Sequence, residues 1–162
     1  MGVRREVRQV SKSKENWKAE PDEHDYPAAA NYLSLLLPPE AVGGAVQGLR
    51  SAELVRYKAK DLLRASRLPL LPAKDPDVAR DLREVRAGSK LSPVLLLRGE
   101  LSREVPLTVA DGYHRICASY HLSEDAEIPC RLAGFDGPAG IQEGAGAKAA
   151  RGRQTRSKGA QQ

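Results

Sequence analysis

One stretch, Thr108-Val109-Ala110-Asp111-Gly112-Tyr113-His114-Arg115-Ile116-Cys117-Ala118, constrains this chain more than any other. A short extended run, Leu107 to Ala110, passes through Asp-Gly directly into a proline-free segment, Gly112 to His121, that carries Ile116 and Tyr120 at i, i+4. A strand that feeds straight into a helix calls for a sheet with helices laid against it. The junction is an anion cradle. Gly112 permits a tight turn and close backbone approach, the free N–H groups of the first helical turn point outward, and the helix dipole favours a phosphate there. His114 and Arg115 stand at that same positive end. A cation there costs up to ~1 kcal/mol, so a bound anion served by both side chains accounts for the pair.

The rest of the chain is read around this junction. Residues 27–37, Ala- and Leu-rich and closed by Pro38-Pro39, spell one short helix. Pro39 and Glu40 could open a second turn of helix, a reading that Gly43, Gly44 and Gly48 weaken considerably. Val55, Tyr57 and Ala59 at period two suit a strand with one wet face, and Asp61 is placed to cap a helix over Leu62 to Ser66. Asp75-Pro76 supplies an N-cap and a first-turn proline for a helix with Val78, Leu82 and Val85 on one face, ended by Gly88. Pro93 to Leu97 is apolar on both parities and reads as a buried strand entering a turn at Arg98-Gly99. Glu127 to Leu132 is the last strand. The expected fold class is α+β, a small mixed β-sheet flanked by helices.

Net charge is +5, and its location matters more than its size. Residues 1–20 hold six Lys/Arg against three Asp/Glu and residues 136–162 five against two, whereas residues 21–135 are close to neutral. The expected organisation is a flexible basic tail over 1–20, one domain over 21–135 with its core in 53–133, and a disordered Gly/Ala/Lys/Arg-rich tail over 136–162. Such tails give weak, salt-sensitive contact with nucleic acid at most. Trp17, in the first tail, is left to dock on the core or on a partner. No apolar run approaches the ~20 residues of a bilayer span, and no apolar stretch follows Arg4, Arg5 and Arg8, so a cytoplasmic protein is expected. Cys117 and Cys130 are expected to be buried thiols. His114, Cys117 and His121 share a helical stripe, but its ends lie about 10.5 Å apart at ~1.5 Å per residue, and no metal ligands are assigned.

The segment Gly112 to Ala118 resembles the Gly-x-x-Arg-x-x-Ala phosphate motif of the ParB/sulfiredoxin superfamily, closest to its Gly-x-His-Arg form. Gly88-Ser89-Lys90-Leu91-Ser92-Pro93-Val94 is similar to the helix end and strand entry that precede this motif in ParB N-terminal domains, and Ile128-Pro129-Cys130 to that family's Ile-Pro-Val strand. The resemblance covers roughly residues 53–133. It implies a nucleotide-binding domain in which Gly112, Tyr113, His114 and Arg115 hold the phosphates of ATP or CTP, with Lys90 and Ser92 reaching the same anion. Mg²⁺ is implied with the nucleotide. Catalytic roles fall to Asp111, the nearest carboxylate, and His114, as donor to a phosphate oxygen or leaving group. Glu53 and Asp61 are further candidates for a general base.

The departures from the family pattern narrow this. Tyr113 occupies the position of the sulfiredoxin cysteine, so sulfinic-acid repair is not expected, although the tyrosine ring would lie beside a bound base or acceptor. No helix-turn-helix region follows the motif, and the paired arginines of CTP-hydrolysing partition proteins are missing. Two readings stay open: a small Mg²⁺-dependent nucleotide hydrolase or phosphotransferase, and a non-catalytic nucleotide-sensing or DNA-associated adaptor.

Overall fold

Strand β2 (Val94–Leu97) is buried along its whole length, and its two parities explain the layering. Val94 and Leu96 face a core built with Leu62, Val78, Leu82, Ile116 and Ile128. Leu95 and Leu97 face a second core with Leu33, Leu49, Ala110 and Ala133. A computed structural model describes residues 16–134. Helices α1 (Asp25–Leu33) and α2 (Pro39–Ser51) cover one face of the sheet. The other face carries α3 (Ala59–Ser66), α4 (Pro76–Arg86) and α5 (Tyr113–Leu122). With β1 (Leu54–Lys58), β3 (Thr108–Asp111) and β4 (Glu127–Ala133), the sheet runs β1-β4-β2-β3. Its β4–β2 pair is parallel and the outer pairs are antiparallel, a mixed sheet in an α+β fold as expected.

Three expectations need correction. Pro39 to Ser51 forms a full helix despite its glycines. Each glycine costs about 1 kcal/mol of helix propensity, but Ala41, Ala45 and Leu49 make a buried stripe on the sheet-facing side. A Cβ on Gly48 would lie only 3.4 Å from that of Ala133, so its small size brings α2 close to β4. Asp61 does not cap α3, which starts two residues earlier at Ala59 without a side-chain cap. Asp61 instead sits in the first turn, where its charge suits the dipole. Strand β1 has no properly dry face: Val55 and Tyr57 remain 37% and 41% exposed because β1 is an edge strand.

The Asp75-Pro76 start of α4 is as expected, the Asp75 carboxylate accepting from the N–H groups of Asp77 (3.1 Å) and Val78 (3.2 Å). Trp17, left to dock on the core or on a partner, is buried in the core and pairs with Leu91 through Lys18 N–H to Leu91 O and Leu91 N–H to Asn16 O, each 2.8 Å. The tail expectations for residues 1–15 and 135–162 lie outside the described residues. No described helix is long and apolar enough to cross a membrane.

Candidate functional site

The junction singled out in the sequence is a strand, a one-residue turn and a helix. Strand β3 ends at Asp111, opposite Leu95, and α5 begins at Tyr113. Between them Gly112 adopts φ 107°, ψ 19°, a left-handed conformation that L side chains rarely take. A Cβ there would also stand 2.5 Å from Val94 Cγ1, so the turn admits only glycine. Among the described residues no side chain caps α5, and the first backbone bond of the helix is Ile116 N–H to Gly112 O at 3.1 Å. The N–H groups of the opening turn therefore have no capping partner.

Arg115 does not point out of this turn. Its guanidinium, 14% exposed, is held between the carboxylates of Asp25 (3.1 Å) and Asp111. Ser92 Oγ donates to the same Asp25 oxygen and accepts from Asp22 N–H at 2.9 Å. These groups join α1 on one face of the sheet to the β3–α5 junction and the entry to β2. Burial raises the Asp111 pKa, and the neighbouring Asp25 charge adds to this while Arg115 opposes it. Two residues expected to contact phosphate are thus occupied internally. Tyr113 is directed elsewhere too, its hydroxyl donating to Pro69 O at 2.5 Å, and Lys90 is exposed on the loop before β2.

His114 finds partners that the sequence reading missed. Its Nε2 lies 3.7 Å from Asp77 Oδ2, and one ligand atom each from Asp75, Asp77 and His114 fall within 4.8 Å of one another. The starts of α4 and α5 are brought together here. One turn along α4, Asp81 is 5% exposed, and its Oδ2 has no hydrogen-bond partner among the described residues. Burial raises its pKa, while Arg80, Arg115 and His114 pull it down, which places its charge close to this cluster. Asp25, Asp75, Asp77, Asp81 and Asp111 thus gather around the start of α5, with Arg80 and Arg115 as the paired arginines. The surroundings of the cradle are acidic. A bare phosphate would meet repulsion, whereas a divalent cation would meet two carboxylates and an imidazole.

The other sequence candidates fall away from this group. Glu53 is exposed ahead of β1, the edge opposite β3. Asp61 pairs with Arg64 at 3.2 Å and lines a cleft at the other end of the β2–β3 pair. His121 is bonded to Leu71 O at 2.7 Å. Cys117 and Cys130 are free and buried, and burial pushes the Cys130 thiol up to about 12. No family model, curated protein or solved structure matches this chain.

Proposed function

We propose that this chain is a nucleotide-binding domain of the ParB/sulfiredoxin type that takes the phosphates of ATP or CTP together with a divalent cation at the adjoining starts of α4 and α5. The observation that carries this reading is the Asp75–Asp77–His114 group beside an uncapped helix start. A cation there would offset the surrounding carboxylates and bridge phosphate oxygens, leaving the α5 N–H groups to complete the phosphate contacts. The sequence pointed to Mg²⁺. An imidazole among the ligands suits Mn²⁺ better, since Mg²⁺ prefers an all-oxygen shell. Arg115 and Ser92 then act as positioning residues that fix Asp111 and the turn, and His114 holds the cation rather than a leaving group.

The test is a thermal-shift and calorimetric series on the full chain with Mn²⁺ or Mg²⁺ alone, then with ATP or CTP, each with and without metal. A nucleotide at a hundred times its dissociation constant adds about 2.7 kcal/mol of stability. The expected result is a nucleotide shift that requires the cation and disappears in Asp77→Asn, whose side chain is half exposed, while the melting temperature without ligand stays close to that of the parent. Product formation under the same conditions identifies a hydrolase or phosphotransferase, and binding without turnover an adaptor. No shift with any nucleotide and cation rejects the reading.

A further inference from the structure

At the Leu97–Thr108 end of the β2–β3 pair, away from Asp111, a cleft of about 550 Å³ opens between α3 and the loop that joins the two strands. That volume is of small-molecule size. Its lining is partly aliphatic, with Val105, Leu107 and Leu132 at its surface and the buried Leu62 and Leu96 behind them. At its rim Leu101 is 89% exposed.

The walls are fixed. The loop closes on itself through paired bonds between Glu100 and Val105 (2.8 and 3.0 Å) and is tied to α3 by Leu107 N–H to Ala65 O at 3.1 Å. Gly99 is jammed against Val105 and Pro106, and both Arg67 and Glu104 are held in left-handed backbone conformations, which are costly for residues with side chains.

Charge distinguishes this cleft from a bare apolar groove. Its two carboxylates are already engaged, Asp61 with Arg64 and Glu100 with Arg103. Arg67 and Arg98 line the same cleft and pair with no carboxylate among the described residues. Two arginines at the mouth of an aliphatic pocket complement one chemistry, an apolar chain ending in an anion.

We infer that this cleft binds an aliphatic carboxylate, its chain lying on Val105, Leu107 and Leu132 and its head group on Arg67 and Arg98. The site is separate from the one proposed for nucleotide and does not depend on it.

The experiment is calorimetric titration of the full chain at low salt with decanoate below its micellar concentration, with decanol and acetate as companions. One saturable site for decanoate is expected, with decanol at least tenfold weaker and acetate without measurable binding. The double variant Arg67→Gln/Arg98→Gln should lose at least tenfold in decanoate affinity, Arg67→Lys/Arg98→Lys should regain part of it, and Asp77→Asn should leave it unchanged. Leu101→Asp should weaken decanoate as well, and its exposure makes misfolding no explanation. Absence of saturable binding, equal affinity for decanol and decanoate, or indifference to the Arg67/Arg98 substitutions overturns the inference. Self-association abolished by Leu101→Asp, in place of decanoate binding, assigns the cleft to a second copy of the chain and overturns it equally.

Discussion

The two ends of the β2–β3 pair handle arginine in opposite ways. At the Asp111 end, Arg115 is nearly buried and clamped by two carboxylates, so its charge is spent on holding α1 to α5. At the other end, Arg67 and Arg98 are exposed beside an aliphatic cleft with no carboxylate partner among the described residues. A guanidinium near a helix start is therefore not by itself an anion contact. What decides its role is whether the fold has already supplied the counter-charge, and that depends on residues far away in the sequence.

The largest test of this contrast is Arg115→Ala. It leaves the buried Asp25 and the partly buried Asp111 without their cation and should cost about 3–5 kcal/mol, measured by denaturant unfolding. Lost nucleotide binding in that variant would thus report unfolding and not a missing phosphate contact; a loss under 1 kcal/mol would break the contrast. Next comes Asp81→Asn. The buried Asp81 carboxyl has a raised pKa, so the folded chain holds that proton above the ordinary value of 3.8, and ionisation costs stability as pH rises through the raised value. The variant should be more stable than the parent by about 1 kcal/mol at neutral pH, a gain that vanishes near pH 3.8. An unchanged difference between melting curves across that range would reject a buried carboxylate whose Oδ2 lacks a hydrogen-bond partner among the described residues. Smallest is Arg98→Gln, which removes an exposed side chain with no ion partner and should move stability by less than ~0.5 kcal/mol. A larger loss would mean that Arg98 is structural after all.

Much of the fold was legible because it rests on local chemistry. Asp75-Pro76 announces α4, the double-parity run Val94 to Leu97 announces a strand packed on both faces, and Asp111-Gly112 announces the turn. Helix α2 was hidden because glycine propensity argued one way and the buried Ala41–Ala45–Leu49 stripe decided the other. At the candidate site, the turn geometry was readable and the side-chain directions were not. Nothing near Asp25 signals that it will meet Arg115, and no spacing links Asp75 and Asp77 to His114, since their meeting depends on how α4 packs against α5. Position on a helix was inferred correctly, but partnership is a tertiary property.

The contact between Arg115 and Asp25 spans 90 positions along the chain. Loop-closure entropy opposes so distant a contact until the segments between are organised, so the clasp is expected to form late in folding. Trp17, the sole tryptophan, lies just ahead of α1 and is buried against Leu91, a pairing almost as remote. Its fluorescence offers a probe of folding kinetics, in which substitutions in the clasp should accelerate unfolding while leaving the refolding rate nearly untouched.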